Sequence, residues 1–118
     1  MSEYTPDRWV MLKISDPNTT CYKILAGWGG SYLHGQSWKL NSGVTKVEKE
    51  GDYLLFSGYS GSVYKCHTSE GSYGFMSITS GVYETFMKQT ESEEAQTKGI
   101  KIELMPENTD FMSIKYED

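Results

Sequence analysis

The sequence predicts an α+β fold: an antiparallel β-meander or partial barrel of about six to seven strands with one helix in the C-terminal half. Three observations favour this class. Short apolar stretches alternate with glycine-, asparagine- and aspartate-containing turns along residues 8–67, as in strands joined by hairpins. The apolar spacing changes to a helical period within residues 75–93. An alternating stretch at 99–107 then supplies a closing strand, and 118 residues are the length of one domain.

The first two strands are predicted at residues 8–15 (RWVMLKIS) and 21–28 (CYKILAGW), joined by a turn at DPNTT. Alternation in the second strand places Ile24 on one face and Leu25 on the other. Further strands are predicted at SWKLNSG (37–43), VTKVEKE (44–50), YLLFSGY (53–59), SVYKCH (62–67) and GIKIELMPE (99–107). The stretch YLLFSGY is the most apolar, which predicts a central position. In the closing strand, Ile100, Ile102 and Leu104 are expected to point inward.

The helix is predicted within residues 75–93, with Thr79 or Ser80 as its N-cap, because a hydroxyl at that position accepts a hydrogen bond from a first-turn amide. Glutamates after residue 90 would crowd the negative end of the helix dipole, so we expect fraying there. Residues 91–98 (ESEEAQTK) are therefore predicted to be a flexible acidic loop, and the tail at 113–118 to be loose. The apolar face of the helix is formed by Val82, Tyr83, Phe86, Met87 and Thr90.

Composition limits the function classes. The net charge is −5 and there is a single arginine, and residues 84–118 hold nine acidic side chains against four lysines. Nucleic-acid binding is not expected, since duplex binding usually needs a basic stripe. We find no apolar run of signal or transmembrane length, and the two cysteines, Cys21 and Cys66, do not make a disulfide scaffold. These features predict a cytoplasmic protein with free thiols and no contact with membranes.

Two segments are candidates for ligand binding. In GYSGSVYK (58–65), amides near the glycines could hold an anion, with serine hydroxyls and Lys65 adding donors and charge. In GWGGSYLHGQSW (27–38), aromatic side chains on a glycine-rich frame suit stacking on a base. The alternatives are a glycine-serine hairpin that serves turn geometry, and tryptophans that belong to the core. The predicted ligand-binding residues are Trp28, Tyr32, Trp38, Lys39, Asn41, Ser42, Tyr59, Ser60, Ser62 and Lys65.

Catalytic and metal sites are not predicted. The cysteines and the histidines His34 and His67 lack the close pair spacing of zinc ligands, and neighbours in a strand such as Cys66 and His67 point to opposite faces. Cys66 with a distant histidine could act as a nucleophile, but a cysteine in a strand is usually a small buried apolar residue. Acids at alternate positions in 48–52 are explained by a solvated strand face. We therefore expect no cofactor and no enzyme activity.

The segments W-x-L-N-S-G (38–43) and G-Y-S-G-S-x-Y-x-C (58–66) resemble those of short uncharacterised accessory proteins of tailed bacteriophages, over roughly residues 8–112. The resemblance implies a phage accessory protein acting in the cytoplasm of a host bacterium, and by analogy an anti-defence role. Two hypotheses follow. In the first, the protein sequesters a small nucleotide-type ligand without catalysis, in a pocket that a homodimer or higher homo-oligomer would enclose further. In the second, its acidic and tyrosine-rich surface inhibits a host enzyme.

Overall fold

The computed structural model describes residues 2–29 and 35–116, and in them the α+β class predicted from the sequence is confirmed. Eight strands form two four-stranded sheets, with one main helix and no closed barrel. The elements in chain order are β1 (Glu3–Tyr4), β2 (Arg8–Ser15), β3 (Thr20–Trp28), β4 (Ser37–Leu40), β5 (Val44–Glu50), β6 (Tyr53–Gly58), β7 (Val63–His67), α1 (Ser77–Thr90), α2 (Glu93–Lys98) and β8 (Lys101–Leu104), followed by a 3₁₀ turn at Phe111–Ser113.

The first sheet, called sheet I, has the strand order β1-β7-β6-β5, and the second, sheet II, has the order β4-β3-β2-β8. Neighbouring strands are antiparallel except β1 and β7, which are parallel. The apolar strand β6 lies inside sheet I, as its sequence predicted. The closing strand β8 pairs with β2, so the end of the chain returns to the edge of sheet II.

The inner faces of the two sheets enclose the main core. Met11 and Ile24 of sheet II pack with Phe56 and Cys66 of sheet I, and all four are fully buried. On its other face, sheet II packs against α1 through Val10, Leu12 and Leu25, which contact Val82, Tyr83 and Phe86 of the helix. Burial on both faces explains why β2 reads as an unbroken apolar run, where a half-exposed strand would alternate. The molecule therefore has three layers, with sheet II in the middle.

Two elements differ from the sequence prediction at the helical end of the chain. Helix α1 begins at Ser77 with Met76 as its N-cap, so the predicted N-caps Thr79 and Ser80 lie inside the helix. The Thr79 hydroxyl accepts a 2.8 Å hydrogen bond from the Met76 amide. Residues 93–98, predicted to be a loop, form α2, which ends at Gly99. Among the helices in the described parts of the chain, none has the length and apolar character needed to cross a membrane.

Two further differences from the sequence prediction lie at the edges of the fold. The two-residue strand β1 was not predicted, because a two-residue parallel pairing carries no periodic signal. Leu104 was expected to point inward but is 38% exposed, since β8 is an edge strand. In the tail, Phe111 is buried against the main core and Ile114 is half-buried, whereas Met112 is exposed.

Candidate functional site

An open hollow of about 470 Å³ lies at the seam between the two sheets. Its walls come from β1 and the residue after it, from the end of β3, and from β4. We call it the aromatic hollow, and its lining residues are Glu3, Tyr4, Thr5, Trp28, Ser37, Trp38 and Lys39. Three of them, Trp28, Trp38 and Lys39, belong to the predicted ligand-binding set.

Strand β1, which was not predicted from the sequence, positions the wall of the hollow that Glu3 and Tyr4 form. The Val63 amide donates to the Ser2 carbonyl at 2.8 Å, and Tyr4 lies beside Tyr64 in the parallel pairing with β7. The rings of Tyr4 and Tyr64 are 5.3 Å apart. This contact holds the Tyr4 ring against sheet I, and Tyr4 also lines the hollow.

Trp28 forms the second aromatic wall. Its indole Nε1 donates a 3.0 Å hydrogen bond to the Thr5 carbonyl, and its ring meets Tyr4 edge to face at 6.2 Å between centroids. The Asp7 carboxylate accepts a hydrogen bond from the Gly29 amide at 2.6 Å. These contacts fix the end of β3 against the segment between β1 and β2, so both rings are preorganised.

Lys39 supplies the positive charge of the hollow. Its Nζ lies 5.1 Å from the centroid of the Tyr4 ring, within the range of a cation–π contact. Within residues 2–29 and 35–116, no carboxylate pairs with this lysine. Glu3 lines the same hollow, so its local charge is close to balanced.

Trp38 reaches the hollow from the opposite face of sheet II. In the β3–β4 pairing, Trp38 is opposite Gly27 and Trp28 is opposite Ser37, so the two indoles point to different faces. Trp38 packs edge to face on Phe86 of α1 at 6.5 Å and remains 41% exposed. The hollow therefore wraps around the β4 edge, with Tyr4, Trp28 and Lys39 on one side of it and Trp38 on the other.

Asn41 lies outside the hollow and is only 4% exposed. The Asn41 Oδ1 accepts a 2.8 Å hydrogen bond from the Ile24 backbone amide, and the Asn41 backbone amide donates to the Ile24 carbonyl at 3.0 Å. This predicted ligand-binding residue therefore binds the backbone of β3. Its Nδ2 is buried with no hydrogen-bond partner in the described residues.

The serine-glycine segment forms a hairpin turn between β6 and β7. The Ser60 amide donates to the Ser42 hydroxyl at 2.9 Å, and the Tyr59 amide donates to the Gly43 carbonyl at 3.1 Å. The amides of Gly58 and Gly61 donate to the carbonyls of Ser62 and Gly58. All four amides are thus occupied within the protein, which favours the hairpin interpretation over the anion nest.

The other predicted residues are dispersed. Tyr59 is 63% exposed at the hairpin turn, and Lys65 projects from the outer face of sheet I, where its Nζ is 4.6 Å from the Tyr53 centroid and 3.7 Å from Glu50. Neither residue lines the aromatic hollow, nor do Ser42, Ser60 and Ser62. Tyr32 lies outside the described residues.

Thiol and metal chemistry have little support in the described residues. Cys66 is fully buried, and burial raises the pKa of its thiol well above the ordinary value, so the nucleophilic thiolate is disfavoured. In residues 2–29 and 35–116, no three side chains of His, Cys, Asp or Glu gather as metal ligands. Among the described residues, those that line the aromatic hollow likewise include no cysteine or histidine.

Comparison with known proteins gives no relative from which a role could be transferred. No protein-family model, curated protein or solved structure matches the chain. The geometry of the aromatic hollow is therefore the basis for a functional assignment.

Proposed function

We propose that the protein is a non-catalytic binding protein that holds the planar ring of a small nucleotide-type ligand in the aromatic hollow and so sequesters it. The observation that carries the proposal is the grouping of Tyr4, Trp28 and Lys39 on one side of an open concavity whose β4 edge carries Trp38. Aromatic faces bind bases through stacking, and a nearby lysine balances a phosphate. Capture requires a preformed pocket and slow release, and needs no reacting group.

The charges of the hollow narrow the ligand class. In the part of the chain that the structure describes, one lysine and one glutamate line it, and the serine-glycine amides that would hold several phosphates are occupied within the protein. A nucleoside or a ligand with one or two phosphates therefore fits this lining better than a triphosphate. The resemblance to phage accessory proteins is consistent with a nucleotide signal of the host bacterium as the captured molecule, in the host cytoplasm.

The test is a titration followed by intrinsic tryptophan fluorescence and by thermal shift, with adenosine, AMP, cyclic dinucleotides and ADP-ribose as probes. We expect saturable binding by at least one probe. Trp28→Ala should weaken it about tenfold, the lower end of the 1–3 kcal/mol that stacking on one base contributes. Lys39→Ala should weaken binding of the phosphate-bearing probes, because it removes the positive charge of the hollow. Tyr59→Ala is the matched control, because Tyr59 is an exposed aromatic residue outside the hollow, and it should bind normally. Absence of binding by every probe, or equal loss in the control, would overturn the proposal.

The alternative function, inhibition of a host enzyme, is favoured by a different surface. Glu91, just before α2, and Glu93, in its first turn, are exposed and belong to no ion pair in the described residues. Glu94 pairs with Lys98 at 2.9 Å. A basic host protein would be attracted to this segment. If this alternative holds, Glu91→Lys with Glu93→Lys abolishes co-purification of a defined host enzyme and restores its activity, whereas Trp38→Ala changes neither.

A further inference from the structure

A second concavity, of about 260 Å³, opens at the end of sheet I where β5 and β7 finish. The segment after β8, including the 3₁₀ turn, closes its other side. We call it the end cleft. It shares no lining residue with the aromatic hollow, so any ligand there is independent of the function proposed above. Its volume is below the range usual for drug-sized ligands, which points to a smaller molecule.

The floor of the end cleft is apolar and rigidly held. Trp9, Leu54 and Phe111 line it and are each at most 7% exposed. The Trp9 indole donates a 2.8 Å hydrogen bond to the His67 carbonyl, and its ring lies 5.2 Å from that of Phe111. A floor of this kind contacts an apolar side chain and excludes water beneath it.

The hydroxyl groups of the cleft are already engaged. Thr68 Oγ1 donates to the Asp52 carbonyl at 2.9 Å, and Thr109 Oγ1 donates to the Pro106 carbonyl at 2.6 Å. The hydroxyls of Ser69 and Ser72 hydrogen-bond to each other at 2.8 Å. The polar groups left for a ligand are therefore the charged side chains and His67, whose Nδ1 is buried with no hydrogen-bond partner in the described residues.

Those charged groups have opposite signs and come from different elements. Lys49 pairs with Leu54 in the β5–β6 register, which places it on the inward face of sheet I. Glu107 and Asp110 come from the segment after β8 and line the same cleft. In the described parts of the chain, none of the three belongs to an ion pair. Asp110 is oriented by Ser113, whose hydroxyl donates to its Oδ2 at 2.6 Å.

We propose that the end cleft binds a zwitterion of the free α-amino-acid class, with Lys49 on its carboxylate, Glu107 and Asp110 on its ammonium, and its apolar side chain on the floor. A ligand with one charge would leave the opposite charge of the cleft without a partner. A zwitterion satisfies both, and charge-assisted hydrogen bonds are about twice as strong as neutral ones. An amino acid with a branched or aromatic side chain also fits the small volume and the apolar floor.

The test is calorimetry with L-leucine and L-phenylalanine as probes, each compared with its N-acetyl and its amide derivative. We expect the zwitterions to bind saturably and each capped derivative to bind about tenfold more weakly, since each cap removes one charged contact. Amide chemical shifts should move at residues 67–69 and 107–112 and stay unchanged at the aromatic hollow. Lys49→Met should weaken binding about tenfold. Lys46→Met, a change of the same type in the same strand but on the outer face, should not.

Three outcomes would overturn the proposal: no saturable binding at millimolar concentrations, equal binding of the capped derivatives, or unchanged binding by Lys49→Met. In the last case an inward lysine would serve only to protect the β5 edge from pairing with another chain, and Lys49→Met should then self-associate. Glu107→Gln provides a second test, because Glu107 is exposed and its loss leaves the core intact. It should reduce affinity for the zwitterion while affinity for the N-acetyl derivative stays the same.

Discussion

At the scale of single residues, Asn41 shows how one side chain type supports two different interpretations. In the sequence, Asn41 lies in a predicted strand at 37–43 and was predicted to hold a ligand. In the structure it is buried and supplies the hydrogen-bond partner of the Ile24 amide. No local pattern separates these cases, because the partner lies 17 residues away along the chain. Trp38 and Lys39, by contrast, do line the aromatic hollow.

Asn41→Ala should lower the free energy of unfolding by about 1–3 kcal/mol, because it leaves the buried Ile24 amide without an acceptor. The measurement is urea denaturation followed by circular dichroism. Ser42→Ala is the control: the Ser42 hydroxyl accepts from the exposed Ser60 amide, which water can replace, so we expect a smaller loss. Equal stability of Asn41→Ala and the unaltered protein would contradict the role given to Asn41.

At the scale of elements, α2 shows why the acidic segment was predicted wrongly. Glu93 and Glu94 were placed at the negative end of α1, where they would be unfavourable. They occupy the first turn of a new helix, where the dipole favours them, and the Ser92 hydroxyl caps that helix by accepting from the Ala95 amide at 3.1 Å. The signal was present in the order Ser-Glu-Glu-Ala, which is typical of a helix start.

The strands were more predictable than the helix boundaries. Apolar density and turn residues located β2 to β8 within a few residues, and alternation correctly placed Ile24 and Leu25 on opposite faces. Strand β1 could not be found in this way, because residues 3–4 are defined as a strand only by their pairing with β7, about 60 positions further along the chain. Tyr4, the residue that completes the aromatic hollow, was missed for the same reason.

Two glycines of the helical region should respond oppositely to alanine. Gly81 lies on the exposed face of α1, and a Cβ there would meet no atom within 4 Å, so Gly81→Ala should stabilise the protein by about 0.5–1 kcal/mol. Gly99 ends α2 at φ 71°, and a Cβ there would lie 3.0 Å from Pro17, so Gly99→Ala should destabilise by about 1–2 kcal/mol. Melting temperatures of the two variants test this, and a shift of the same sign for both would contradict the assignment.

At the scale of the whole molecule, the three-layer order depends on which strands pair, and local sequence does not determine pairing. The prediction of a meander was correct for β2, β3 and β4 in sheet II and for β5, β6 and β7 in sheet I, since each set follows in chain order. It did not provide the division into two sheets, in which the chain leaves sheet II after β4 and returns to it with β8. The aromatic hollow and the end cleft both arise where segments from the two sheets meet, so neither was visible as a unit in the sequence.

Three tyrosines should make the fold sensitive to alkali: Tyr64 is buried in sheet I, while Tyr73, between β7 and α1, and Tyr116, in the tail, are half-buried. Burial raises the pKa of Tyr73 to about 12 and the pKa of Tyr64 above its usual value. Burial also raises the pKa of Tyr116 in the tail. Unfolded tyrosine ionises near pH 10. Because the folded state holds these protons more tightly, their stabilisation is complete below about pH 10 and is lost as the pH rises toward 12.

We therefore expect the free energy of unfolding to fall between about pH 10 and about pH 12, as measured by urea denaturation at each pH. The free energy of unfolding of Tyr73→Phe should fall less steeply with pH, because the variant lacks one of the titrating groups. The variant should also be less stable at neutral pH, because it lacks the hydroxyl that accepts from the Met11 amide. A stability that does not change over this range would contradict the buried, neutral state of these phenols.

The pairing of β1 with β7 bears on how the protein should be produced for these experiments. Because Ser2 hydrogen-bonds to Val63 and Glu3–Tyr4 form a wall of the aromatic hollow, any affinity tag joined ahead of them would emerge beside the proposed binding surface. The imidazole rings of a histidine-rich tag there would lie near Lys39 and would compete with the hollow for binding the ligand. Tag-free material, obtained by proteolytic removal of a carboxy-terminal fusion, is the appropriate sample for measuring affinity at this surface.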